Sequence, residues 1–335
     1  MPRIAINGFG RIGRNVFKAG FDKPGFEVVA INDLADTKTL SHLLKHDTVY
    51  RTWDRNVSPD AKSIKVGNQT IAVFAEKDPA LLPWKKLGVD IVLECTGRFT
   101  EVEGASKHIA AGAKRVIISA PAKGGEIPTH VIGVNEKEAG AKAQIINNAS
   151  CTTNCIAPVA AILNDAFGVK KAMMTTIHGY TADQNLVDGP HKDLRRARAA
   201  AENIVPTTTG AAIATTEVIP ELKGIFDGFS IRVPVPVVSL CDFTLLLKKK
   251  VTAEEVNEAF KKASKNARWK GVLEVTTEPL VSSDFIGNSA SSIVDLPLTK
   301  VVDGDFVKVI AWYDNEWGYS HRLAEMCLTV AKNIS

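Results

Sequence analysis

"RIAINGFGRIGRNVF", residues 3–17, decides the fold. Ile4 and Ile6 alternate with other residues as on a strand, and the run from Arg11 has helical spacing. Between them Gly8, Gly10 and Gly13 stand in Gly-x-Gly-x-x-Gly order. The first glycine permits a tight turn, the second lets backbone approach a pyrophosphate, and the third allows close helix–strand packing. The N-terminus of the following helix would present unpaired N–H groups to an anion. A second strand, "FEVVAIN" (26–32), ends at Asp33, about 20 residues past Gly13, where the fingerprint places an acid for ribose hydroxyls. A carboxylate there repels a 2′-phosphate, so the reading is NAD rather than NADP.

Working outward, "VDIVLECTG" (89–97), "RVIIS" (115–119) and "AQIINN" (143–148) are short apolar runs closed by Gly, Ser or Asn, as buried parallel strands are. The expectation is an α/β, doubly wound Rossmann domain over residues 1–149. Past residue 168 come longer runs: "KKAMMTTIHGYT" (170–181), "GFSIRVPV" (228–235), "VSLCDFTLLLKKK" (238–250) and "DFVKVIAWYD" (305–314). These suit an antiparallel or mixed sheet in an α+β domain over 150–315. One strong helix is expected there, "TAEEVNEAFKKASK" (252–265), opened by a Thr252/Glu255 capping box. The tail from residue 316 reads as a helix that packs back on the first domain.

Bulk properties narrow the class. A chain of 335 residues exceeds the usual single core, so two domains are expected. It is 45% hydrophobic and 23% charged, with no apolar run near the ~18 residues of a membrane span. "MPRIAINGFG" lacks the build of a signal peptide, which points to the cytoplasm. The five cysteines are odd in number and scattered, against a disulfide framework. A net charge of +4 is too small to argue for nucleic acid and fits anionic small molecules.

"NNASCTTNCIAP" (147–158) sets Cys151 and Cys155 four apart. No further ligands lie at metal spacing, so no metal site is expected. Parallel side chains on one helix face make a poor disulfide. Cys155 opens an apolar face and reads as a small core residue. Cys151 follows a strand and Ser150 at the start of a helix, where unpaired N–H groups would lower a thiol pKa and hold an oxyanion. From this segment alone nucleophile and core filler remain open. A nucleophile needs a base, and His178 in "TTIHGYT" ends a strand where it can meet another loop, although a lone histidine is commonly just hydrogen-bonded.

"INGFGRIGR", "INNASCTTNC", "TTIHGYT", "HKDLRRARAAAENIVPTTTGAA" and "WYDNEWGYS", in that order, make the whole chain resemble the phosphorylating glyceraldehyde-3-phosphate dehydrogenase family. That resemblance implies that Cys151 attacks the aldehyde of glyceraldehyde 3-phosphate and that His178 activates the thiol and then serves as acid and base. Hydride passes to NAD, and inorganic phosphate releases 1,3-bisphosphoglycerate from the thioester. It further implies that Thr181, Arg196, Thr209, Gly210 and Arg232 hold two anions, with Ser150 and Thr152 beside the nucleophile. On the cofactor side it assigns Arg11 and Ile12 to the pyrophosphate turn, Lys77 and Ser119 to places beside adenosine and nicotinamide ribose, and Asn315 to the nicotinamide carboxamide. Leu34 and Pro190 match NAD-preferring members, and Tyr313 and Glu316 are expected to be structural. The family pattern implies a homotetramer, with most of the Arg-rich loop lining a neighbouring subunit's cofactor pocket. The alternatives are erythrose-4-phosphate dehydrogenase, which shares these motifs without needing inorganic phosphate, and a secondary RNA-binding role, which intact Cys151 and His178 do not favour. Membrane and nucleic acid are not expected as primary partners.

Overall fold

The computed structural model describes residues 1–124 and 127–334. Its chain contacts divide it into two units, the first being Met1–His130, Asn135–Ala149 and Ser320–Ser335, the second Val131–Val134 and Ser150–Tyr319.

In the first unit the alternating isoleucines form β1 (Arg3–Asn7), the glycine turn leads into α1 (Arg11–Phe21), and β2 (Glu27–Asn32) and α2 (Thr37–Lys45) follow. A short ribbon pairs β3 (His46–Asp47) with β4 (Arg51–Thr52). Next come β5 (Val57–Asp60), β6 (Ser63–Val66) and β7 (Gln69–Phe74), then the single turn α3 (Trp84–Leu87). The unit continues through β8 (Ile91–Glu94), α4 (Val102–Ala110), β9 (Arg115–Ile118) and β10 (Ile145–Asn147). All eight long strands make one sheet in the order β10-β9-β8-β1-β2-β7-β6-β5. The six strands from β10 to β7 are parallel, whereas β6 and β5 return antiparallel at one edge. The sequence reading missed this edge because strands that face solvent are mixed in polarity and lack the apolar runs of buried ones. Chain order reverses around β1, which has β2 on one side and β8 on the other, so a crevice opens at the carboxyl ends of these strands. Trp84, Val92, Val116 and Ala105 pack the core on one face of the sheet.

The second unit starts with α5 (Cys151–Phe167) and β11 (Val169–Gly179). Then come β12 (Val205–Thr207), α6 (Ala211–Val218), β13 (Phe226–Val233) and β14 (Ser239–Leu247). After α7 (Ala253–Ser264) the chain forms β15 (Leu273–Thr276), β16 (Ser292–Asp295), β17 (Lys300–Val302) and β18 (Phe306–Tyr313), and it passes into α8 (Trp317–Ala331). The sheet is mixed: β11 runs parallel to β13 but antiparallel to β14. The Thr252/Glu255 capping box is made at the start of α7. Two further helices, α5 and α6, share this unit with α7. The first begins at Cys151 with Ser150 as its cap, where the sequence suggested a helix start, whereas α6 escaped the pattern reading because it is short and rich in Ala and Thr and carries no polar stripe.

Candidate active site

The glycine turn in the first unit behaves as its spacing requires. Gly8 has a φ of 89°, and a Cβ there would lie 2.7 Å from the Thr96 nitrogen. A Cβ on Gly13 would lie 2.1 Å from the Gly8 carbonyl oxygen, so only glycine lets α1 pack against the turn. Gly10 differs, since a Cβ there meets nothing within 4 Å. That open space, beside the uncapped N-terminus of α1, is what a pyrophosphate needs. Asp33 follows β2 directly, with Oδ2 accepting from Phe9 N (2.7 Å) and Oδ1 from Ala35 N (3.0 Å). Gly8, Gly10, Asp33, Leu34 and Lys77 line one crevice of about 560 Å³. Arg11 forms an ion pair with Asp47, and Ile12 stands beside it in the first turn of α1. Ser119 follows β9, its N–H donating to the Glu94 carbonyl (3.0 Å). The residues present therefore fit an NAD molecule.

In the second unit Ser150 caps α5 by accepting from Thr153 N (2.9 Å), which places Cys151 at the first helical position. Cys151 Sγ lies 3.5 Å from His178 Nε2. β11 delivers His178 at its carboxyl end, and the parallel register sets Arg232 of β13 directly opposite. His178 Nδ1 lies 2.6 Å from the Gly179 carbonyl and donates to it in the tautomer that leaves Nε2 free, while Arg232 Nη1, 2.7 Å from the same nitrogen, donates to that carbonyl as well (3.3 Å). Thr152 Oγ1 and Thr176 Oγ1 both meet the buried Tyr313 hydroxyl, at 2.9 and 2.8 Å. The Tyr313 ring stands edge-on to His178 with 6.0 Å between centroids. Tyr313 thus ties α5, β11 and β18 together behind the reacting pair.

The electrostatics differ from the sequence expectation at one point. Burial pushes the Cys151 thiol above its ordinary range, although the Arg232 charge and Thr152 hydrogen bonds oppose it. The helix terminus alone was expected to lower it; loss of water around the sulfur outweighs that dipole. Burial, and next the Arg232 charge, drive the His178 imidazole down to about 3, so the ring is neutral at physiological pH.

Thr181, Arg196 and Arg232 gather around a residue the sequence reading did not select, Asp183. It accepts from the Thr181 hydroxyl and forms an ion pair with Arg196. Burial works against its ionisation, but Thr181, Arg196 and Arg232 together hold its carboxyl below the usual range. The cue available was its place two residues after Thr181 in "HGYTADQ". Arg196 also donates to Thr207 Oγ1 (2.9 Å) and the Thr208 carbonyl (3.1 Å), which brings it to the loop preceding α6. Thr209 Oγ1 accepts from Ala211 N (3.2 Å), and Gly210 begins α6 with open space at its Cβ position. Asn315 is buried, its Oδ1 accepting from Ser239 Oγ (2.9 Å). Val238, a branched residue in left-handed backbone (φ 69°), sets Ser239 in place; such a conformation costs about 1–3 kcal/mol and persists where surroundings enforce it.

Cys155 lies one turn along α5, fully buried, 3.7 Å from Ser292 Oγ. All five cysteines are free thiols, and among the described residues no group of side chains suits a metal ion.

Comparison with known proteins identifies the family. Residues 2–102 match the family described as glyceraldehyde 3-phosphate dehydrogenase, NAD binding domain, and residues 150–315 match its C-terminal domain. Glyceraldehyde-3-phosphate dehydrogenase of Geobacillus stearothermophilus is 54% identical over 330 residues, covering 98% of each chain. The enzyme named glyceraldehyde-3-phosphate dehydrogenase 1 of Bacillus subtilis is 55% identical over 331 residues, again 98% of each. Glyceraldehyde-3-phosphate dehydrogenase 2 of Synechocystis is 52% identical over 336 residues, 99% of each. With both halves matched and the cysteine, histidine and glycine motifs folded into place, this chain belongs to the glyceraldehyde-3-phosphate dehydrogenase family.

Proposed function

We propose that Cys151 and His178 carry out the reaction of this family, the NAD-dependent oxidation and phosphorylation of glyceraldehyde 3-phosphate to 1,3-bisphosphoglycerate. The observation that carries this reading is the 3.5 Å approach of Cys151 Sγ to His178 Nε2, with Arg232 behind the ring. Sulfur attacks the aldehyde carbon while its proton passes by way of Nε2 to the carbonyl oxygen, which becomes a hydroxyl. NAD, when bound, supplies the acceptor for the hydride that leaves this carbon. His178 takes the hydroxyl proton as the thioester forms. A phosphate oxygen then attacks the thioester carbonyl, and the carbon–sulfur bond breaks to return Cys151.

The neutral imidazole is suited to accept a proton but, beside Arg232, poorly suited to keep one. Phosphate groups brought to Arg232, Arg196 and Thr181, with Thr209 and Gly210 at the start of α6, offset that cationic charge. They let His178 hold the transferred proton. Ser150 and Thr152 position the nucleophile, and Asn315 is the residue we assign to the nicotinamide carboxamide. Arg11, Ile12, Asp33, Lys77 and Ser119 complete the cofactor set.

The first 149 residues form the cofactor domain in this reading, 150–315 the catalytic domain, and the segment from 316 packs on the first. Grouping of Ser320 onward with the first unit and the bond from Asn333 Nδ2 to the Ala139 carbonyl (2.9 Å) support that division. We also propose a cytoplasmic homotetramer. Leu186 and Leu194, 79% and 81% exposed on the loop after β11, are apolar surface that a second copy would cover. Among the described residues no helix is long and apolar enough to cross a membrane.

Purified protein given glyceraldehyde 3-phosphate, NAD and inorganic phosphate is expected to generate NADH, and omitting phosphate is expected to stop turnover. Sustained turnover without phosphate would place the activity with erythrose-4-phosphate oxidation instead.

A further inference from the structure

Beneath the crevice of the first unit lies a buried polar chain that none of the reaction steps uses. Glu94, at the end of β8, and His108, on α4, are both fully buried, with His108 Nε2 3.0 Å from Glu94 Oε2. The indole of Trp84 can only donate, and its Nε1 lies 3.0 Å from His108 Nδ1. Nδ1 is therefore the acceptor and Nε2 carries the proton toward Glu94. The same Glu94 oxygen accepts from Asn7 Nδ2 (2.5 Å). Its other oxygen accepts from Thr96 N (2.8 Å) and from the Thr96 hydroxyl. Four donors and no acceptor surround the carboxylate. From Asn7 the chain continues, since Asn7 Oδ1 accepts from Asn32 Nδ2 (2.7 Å) and Asn32 is bonded in turn to the Glu76 backbone (2.8 and 2.9 Å). It crosses the carboxyl ends of β8, β1, β2 and β7, and Asn7, Asn32, Glu76 and Thr96 line the crevice above it.

We propose that Glu94 and His108 are positioning residues for the NAD site, with the Nε2 proton of His108 fixing the carboxylate that sets Thr96 and Asn7. The mechanical link is short, because the Thr96 backbone is the surface against which Gly8 packs. A carboxylate released from His108 loosens Thr96, and the pyrophosphate turn loses its backing. This inference rests on the crevice being the NAD site.

The test is NAD titration of the full-length protein by calorimetry, with kcat at saturating NAD and thermal melting measured alongside. Glu94→Gln keeps the volume but removes the charge and sets an amide NH2 against donors on whichever side it faces, Thr96 or Asn7 and His108. His108→Leu removes the donor, whereas His108→Gln restores an N–H at the same reach, and both leave Trp84 without its acceptor. Kd for NAD is expected to rise about tenfold in Glu94→Gln and His108→Leu, about 1.4 kcal/mol, with kcat within about twofold of wild type. His108→Gln should stay within about threefold of the wild-type Kd. Equal Kd values in the two His108 variants, or a wild-type Kd in Glu94→Gln, would overturn the proposal. If His108→Leu does not fold, Glu94→Gln decides alone. A purely structural role would lower both melting temperatures and leave Kd unmoved. Failure of the wild-type protein to bind NAD would instead remove the reading of the crevice itself.

Discussion

The cofactor crevice and the reacting cluster are built on opposite plans. The crevice is made chiefly of backbone: a turn in which Gly8 and Gly13 meet other main-chain atoms, the bare start of α1, and Asp33 bonded to two main-chain N–H groups. The reacting cluster is made of side chains from separate elements, Cys151 on α5, His178 on β11, Arg232 on β13 and Tyr313 on β18. The crevice should fail at its glycines and at the buried side chains that brace its backbone. The reacting cluster should fail at the reacting side chains themselves. Each should therefore be removable without the other.

The largest expected effect is that of Cys151→Ala, which should lower kcat by about four orders of magnitude or more while NAD titration gives the wild-type Kd. An accompanying loss of NAD affinity would break the separation. Next, His178→Asn should cost about 10²–10⁴ in kcat, seen in steady-state NADH formation, again with NAD binding intact. On the crevice side Gly10→Ala should weaken NAD binding by about tenfold or more with an unchanged melting temperature, because its methyl enters the open space and touches nothing. Gly13→Ala should instead destabilise the fold by about 1–3 kcal/mol in denaturant titration, since its methyl collides with the Gly8 carbonyl. If the two variants behaved alike, the glycines would not have the separate tasks assigned to them.

A smaller effect concerns pH. His178 is held down to about 3 in the folded protein against 6.5 for the free side chain, so between these values the unfolded chain binds more protons. The stabilising contribution is full above pH 6.5 and is lost as pH falls toward 3. Denaturant titrations should show a shallower acid limb in His178→Asn than in wild type, and identical limbs would contradict the burial argument. Smallest of all, Cys155→Ala should retain substantial activity and lose only the packing of one small buried side chain.

The same contrast explains what was legible in the sequence. Gly8, Gly10, Gly13 and Asp33 act through local spacing, so a linear reading recovers them with their physical tasks. Cys151 beside Ser150 was visible as a helix start and His178 as a candidate base at a strand end, but their meeting was not, because His178 and Arg232 come together only through the parallel register of β11 and β13. Their assignment leaned on family resemblance. Asp183 and the tie of Tyr313 to Thr152 and Thr176 escaped, since hydroxyl and carboxylate contacts across a sheet leave no period in the sequence. The edge strands β5 and β6 and the helix α6 escaped because they are too short or too evenly polar to set a pattern.

The central claim is that oxidation leaves the acyl group on Cys151 until phosphate removes it. Rapid mixing of the protein with NAD and glyceraldehyde 3-phosphate, without phosphate, measures this directly. The account predicts a burst of about one NADH per Cys151 followed by arrest, with turnover resuming when phosphate is added. Continuous turnover without phosphate, or a burst that survives Cys151→Ala, would contradict it.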